Sequence, residues 1–113
     1  MPSIKIKIQL LADDAIALGP GKVDLLAAIQ QKGSISAAAL SMGMSYKRAW
    51  DLVSIMNKSF NEPLVVTAIG GNAGGGAQVT VYGLQVLAHY RTLEANANLA
   101  VQEQAKKLMQ MLR

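Results

Sequence analysis

The last third of this 113-residue chain sets the tightest limit on its fold. From Thr80, a good N-capping residue, to the C-terminus the sequence reads as one helix, and ~30 helical residues span roughly 45 Å. A domain of this size cannot cover such a rod internally. Its apolar positions nevertheless form a stripe along much of the length: Leu84, Leu87, Tyr90, Leu93, Ala97, Ala100, Val101, Leu108, Met111 and Leu112. A stripe of that reach calls for a partner helix. The expectation is a homodimer joined through Leu84, Leu87, Tyr90, Leu93, Ala97, Val101 and Leu108.

Ahead of that rod the chain breaks into short pieces. Ile4, Ile6, Ile8 and Leu10 alternate with Lys5, Lys7 and Gln9, the period of a half-buried strand from Ile4 to Leu11. Asp13-Asp14 then separates it from Ala15-Ile16-Ala17-Leu18, which suggests a small hairpin. Pro20 stands where a helix can start, because its missing N–H costs little there. A first helix is predicted over Lys22 to Gln31, stopped by Gly33. Ser36 is expected to cap a short, alanine-rich second helix through Met42. Gly43 then makes a tight turn that favours a positive φ. Ser45 caps a third helix to about Phe60, with Ala49, Leu52, Val53, Met56 and Phe60 on its buried side. Pro63 ends the helical region. Leu64 to Thr67 and Gln78 to Thr80 read as two strands around a glycine-rich tip.

Short helix, glycine turn, capped helix and hairpin with a pliant tip form a winged helix-turn-helix layout. The fold class expected is therefore mainly α with small β-hairpins (α+β), residues 1–80 forming the DNA-binding domain and 81–113 a long C-terminal dimerisation helix. In that layout the leading end of the third helix projects outward, and a major groove about 12 Å wide admits it. Ser45, Tyr46, Lys47 and Arg48 would supply hydroxyls, two cations and free backbone N–H groups there. The plainer alternative is an ordinary capped, solvated helix end.

Composition narrows the remaining classes. Hydrophobic residues make up 51% and charged residues 16%, enough for a core and against wholesale disorder. A net charge of +4 mildly favours a polyanionic partner. Without cysteine there is no disulfide and no thiolate catalysis or metal site. No apolar run approaches the ~20 residues of a membrane span, and the alternating N-terminus lacks the continuous apolar block of a signal peptide. The expectation is a cytoplasmic protein. His89 is the single histidine, so a metal site or other cofactor is not expected and a surface or interface role is. The glycine stretch lacks the Lys-Ser/Thr of a phosphate loop, since Ala77-Gln78 follows Gly76. No nucleophile and base pattern marks an enzyme.

The stretch GSISAAALSMGMSYKRAWDLVSIMN (Gly33 to Asn57), the tip GGNAGGGA (Gly70 to Ala77), Thr80 and Gly83 together resemble the DNA-binding domain of the ModE family. These are bacterial molybdate-responsive transcription regulators with a winged helix related to that of LysR-type regulators. The similarity includes Gly19-Pro20-Gly21, Leu25-Leu26 and Ile29 and reaches about Glu94. It implies a dimer bound to double-stranded DNA at a pseudopalindromic operator. Carried over to this sequence, the DNA-contact candidates are Ser36, Ser45, Tyr46, Lys47, Arg48 and Asp51. In the wing they are Gly71, Asn72, Gly74 and Gly75. Trp50, beside Asp51 in the family's Ala-Trp-Asp, is assigned to packing because a large ring one turn into a helix usually braces it.

Two features depart from the family pattern. Full-length members carry molybdate-binding domains after the long helix, so no molybdate site is expected within these residues. Met1 and the uncut helix favour a naturally short, single-domain member. The wing residues Thr67, Ala68, Asn72 and Ala73 are uncharged where relatives often place a basic residue. That second feature supports an alternative, a dimeric protein-interaction adaptor built on the same fold without strong DNA binding.

Overall fold

The computed structural model describes residues 1–68 and 76–113. Two antiparallel hairpins and four helices follow one another along the chain. The first hairpin joins β1 (Leu10–Ala12) to β2 (Ala15–Leu18), with Asp13 in the left-handed region at φ 53°. Aspartate tolerates that conformation because its short side chain can bond locally.

The expected strand from Ile4 is shorter than its pattern. Only Leu10–Ala12 pairs, while Ile6 and Ile8 are half-buried without belonging to a sheet. A strand needs a neighbouring backbone, and β2 ends at Leu18, just before the first helix begins at Pro20. The Ile8 carbonyl instead accepts a 2.7 Å hydrogen bond from the Tyr90 hydroxyl.

Helix α1 (Pro20–Lys32) starts with proline at its first turn and ends on Gly33, whose φ of 78° lets its N–H return to the Ile29 carbonyl at 2.8 Å. It buries Val23, Leu25, Leu26 and Ile29. Helix α2 (Ile35–Ser41) is capped by Ser34, not Ser36: the Ser34 hydroxyl accepts from the Ala37 N–H at 3.0 Å. Gly33 closes α1 so tightly that Ser34 already has the extended backbone a cap requires, and Ser36 falls inside the first turn, exposed. Gly43, at φ 67°, turns the chain into helix α3 (Tyr46–Ser59), while Met42 and Met44 pack against the core beside it.

Ala49, Leu52, Val53 and Met56 form the buried side of α3, with Phe60 half-buried beyond them. The second hairpin pairs β3 (Val65–Ala68) with β4 (Gly76–Val79) in register Val65 to Val79 through Ala68 to Gly76. The Ala77 N–H donates to the Gly33 carbonyl at 2.9 Å, which hooks this wing onto the end of α1. Thr80 then links wing and last helix: its N–H donates to the Leu64 carbonyl at 2.9 Å and its hydroxyl to the Pro63 carbonyl at 2.8 Å. The same hydroxyl accepts from the Gly83 N–H at 2.9 Å, capping helix α4 (Val81–Gln110).

One core of aliphatic residues joins β2, the first three helices, the wing base and Tyr90. The long axis of the molecule is 57 Å against 29 and 24 Å across. The far half of α4 accounts for that elongation, since 30 helical residues outrun the globular part.

Candidate nucleic-acid interface

The leading turn of α3 stands clear of the core. The Ser45 hydroxyl accepts from the Arg48 N–H at 3.1 Å, and no acidic residue occupies the first turn. Tyr46, Lys47 and Arg48 are all exposed. Tyr46 lies edge-on to Trp50, ring centres 6.2 Å apart, and Trp50 is half-buried against the core. The tyrosine ring is thus braced while half of its surface, 52%, remains open to solvent.

Lys47 is not a bare cation. Its Nζ lies 3.1 Å from Asp51 Oδ2, one turn further along α3, with both side chains largely exposed. An exposed pair of this kind contributes at most about 1 kcal/mol, so a phosphate or base edge can displace it at little cost. Asp51 therefore acts here on Lys47, holding its ammonium over the helix surface.

Nothing in the sequence signals that the charge of Arg48 bears on Lys22. Lys22, half-buried in the first turn of α1, has its pKa held below the usual lysine value by burial and by the Arg48 guanidinium. Helix α1 packs against α3, so the charge of Arg48 is felt at a position far from it in the chain. Asn57 was equally unmarked. At the other end of α3, its carboxamide bonds the backbone of Leu64 and Val65, and so aligns the wing with the helix.

Ser36 is exposed on the first turn of α2. Thr67 and Ala68 sit exposed on β3 at the wing. Gly71, Asn72, Gly74 and Gly75 lie outside the described residues.

Along α4 the stripe divides. Tyr90 is buried at 3% exposure and bonded to Ile8, and Leu87 packs on the core, so both are used within the chain and not at the expected seam. Sequence periodicity could not separate them from the rest, because apolar residues that pack inward and those left exposed share one helical period. Leu84, Leu93 and Leu108 are exposed, and Ala97 and Val101 half-buried. Leu93 borders an apolar groove of about 390 Å³ that Leu10, Leu18, Phe60, Tyr82 and His89 also line. Arg91 bonds Glu94 at 2.9 Å and reaches Asp24 of α1 at 3.4 Å; the Glu94 bond raises its pKa most. No helix among the described residues is long and apolar enough to cross a membrane.

Tri-helical core, glycine turn, exposed third-helix tip and paired-strand wing define a winged helix-turn-helix domain. It is a ModE-like winged helix, on the strength of relatives that align across most of it. The molybdenum transport protein ModE of Azotobacter vinelandii is 41% identical over 102 residues, covering 90% of this chain and 38% of the relative. The DNA-binding transcriptional dual regulator ModE of Escherichia coli K12 is 40% identical over 91 residues, 80% of this chain and 32% of that protein. The molybdenum-pterin-binding protein MopB of Rhodobacter capsulatus is 51% identical over 78 residues, 69% and 29% respectively. The chain thus spans about a third of the length of these relatives. No family model matches it. Among solved structures, ArgP of Mycobacterium tuberculosis, a LysR-type regulator, superposes with a TM-score of 0.50 over 74% of this chain and 30% of its own, at 20% identity. That likeness shows the fold alone.

Proposed function

We propose that this chain binds operator DNA in a sequence-specific way as a homodimer, acts as a transcriptional regulator of the ModE type, and is not an enzyme. One observation carries the reading: the Ser45-capped tip of α3 presents Tyr46, Lys47 and Arg48 outward with no acidic residue in its first turn. A helix tip of that kind enters the major groove, where an arginine can pair with guanine O6 and N7 and a lysine with guanine or phosphate. The positive end of the helix dipole adds to the attraction for phosphate.

The second copy docks along α4 through Leu84, Leu93 and Leu108, covering the groove beside Leu93. Two recognition helices related by a two-fold axis then require inverted half-sites about one helical turn apart, or a multiple of that. Residues 1–80 serve as the DNA-binding unit and 81–113 as the dimerisation helix. A cytoplasmic place of action follows, since that is where a bacterial regulator meets its operator.

Selection of duplexes from a random pool with the purified protein tests the proposal. An enriched inverted repeat, protected in footprinting at low salt, is the expected result. Failure to enrich any sequence, with no retardation of duplex DNA at low salt, would overturn it and leave the adaptor reading, which the uncharged Thr67 and Ala68 favour.

A further inference from the structure

Helix α4 carries two unlike apolar regions on one face. Beside its first turns, Val86, His89 and Leu93 form one wall of the groove of about 390 Å³, and Leu10, Leu18 and Phe60 help to form the other. This region is concave. A helix advances about 100° per residue, so the same face continues through Ala97, Ala100, Gln104, Leu108 and Met111. Those later turns run out beyond the globular part, and the side chains at their end stand in solvent: Leu108 is 61% exposed and Met111 81%. Midway between hollow and protruding end lie the small residues Ala97 and Ala100. One face thus offers a socket, a flat crossing point and a plug.

We propose that the groove receives the far end of α4 from a second copy of this chain, the two helices running antiparallel and crossing at Ala97 and Ala100. A two-fold contact is self-complementary, so a plug that enters the partner's socket brings the partner's plug into its own. The socket centres near His89 and the plug near Leu108, which puts the two-fold axis midway, level with Asn98 and Leu99. About that axis Ala97 meets the partner's Ala100, and the small side chains let the two backbones close. Leu93 then faces the partner's Gln104, His89 the partner's Leu108, and Val86 the partner's Met111. A parallel pair would set groove against groove and leave both hollow. Charge agrees with the antiparallel choice. Lys106, Lys107 and Arg113 crowd the end of α4, and Asp13 and Asp14 turn the hairpin that walls the groove. Among the described residues none of these five forms an ion pair within the chain. This inference rests on the homodimer reading and supplies the direction and register which that reading leaves open.

The chain has no cysteine, so thiols can be placed in chosen pairs. The test treats His89→Cys, Leu108→Cys and the His89→Cys/Leu108→Cys double variant of the full chain with a bis-maleimide that spans about the 8–10 Å between packed helix axes. In the antiparallel register His89 and the partner's Leu108 are neighbours. Two copies of Leu108 lie about 28 Å apart along the helix, and so do two copies of His89. The double variant should therefore pass at least ten times more chain into a covalent dimer, read on denaturing gels, than either single variant. Because one pair of substitutions could itself loosen the seam, Val86→Cys/Met111→Cys probes the same register and should link alike. Efficient linking of a single variant, as a parallel seam would give for Leu108→Cys, would overturn the inference. Failure of both double variants to link, with wild type sedimenting as a dimer, would overturn it too and leave the homodimer standing on another surface. A wild type that sediments only as a monomer would overturn the homodimer reading itself, and this register with it.

Discussion

The Asn57 carboxamide brackets the backbone of Val65: Nδ2 donates to the Val65 carbonyl at 3.0 Å and Oδ1 accepts from the Val65 N–H at 3.2 Å. The same Oδ1 accepts from the Leu64 N–H at 2.8 Å. One side chain on the last turns of α3 thus fixes where the wing begins. Leu64 and Val65 are buried, so Asn57→Ala leaves backbone donors without a partner. The expected loss is ~1–3 kcal/mol of stability, read as a lower melting temperature. DNA affinity should weaken beyond what partial unfolding explains, because the wing loses its alignment.

Gly83 is held against the wing base. A Cβ there would collide with the Leu64 carbonyl oxygen and come within 2.8 Å of Val79 Cγ1. Alanine gains ~1 kcal/mol of helix propensity over glycine, but overpacking costs ~1–3 kcal/mol, and the Leu64 oxygen is pinned by Thr80. The clash should win. Gly83→Ala should therefore shift the urea midpoint downward.

Lys47→Ala should separate binding from stability. Its pair with Asp51 is solvent-exposed and contributes at most about 1 kcal/mol, so the melting temperature should barely move. Operator affinity should fall by ~1–3 kcal/mol if the ammonium reads a base. Asp51→Ala releases the same lysine and should also leave the fold intact; circular dichroism melts and gel shifts on both variants check this.

Leu93 is 49% exposed and Leu108 61%, so neither supports its own protomer much. A glutamate at either position should leave the helix content unchanged. In the dimer it would be buried at an apolar seam, and sedimentation should show the species moving toward monomer. Retention of a stable dimer in the Leu93→Glu/Leu108→Glu double variant would contradict the proposed seam.

Tyr90 gives the fold an alkaline limit. Its phenol pKa is raised above the usual value near 10, chiefly by burial and next by the Glu94 carboxylate. A folded pKa above the unfolded one means that the neutral form is favoured in the native state. The contribution is therefore complete below about pH 10 and lost as the pH rises through the higher folded value. Tyr90→Phe should remove that alkaline component of the stability curve and, at neutral pH, the bond to Ile8 as well. Denaturant titrations across alkaline pH measure both.

Much of the architecture was legible because it rests on local chemistry. Gly33 and Gly43 have positive φ, and Pro20 opens a helix. Ser45 and Thr80 cap the helices they precede, as short hydroxyl side chains do. Where local signals competed, the reading slipped. Ser34 and Ser36 are both plausible caps, and the closure of α1 by Gly33 chose the first. The Ile4 to Leu11 alternation promised a strand but carried no information about whether another backbone lay beside it.

The order of elements, the turn before α3 and the outward tip of that helix follow from the sequence alone, since propensity, capping and apolar period act within a few residues. Only the tertiary structure decided that Asn57 clamps the wing and that Tyr90 turns inward to Ile8. Those pairings join positions distant in the chain. Their geometry is set by how helices pack, which no local pattern encodes.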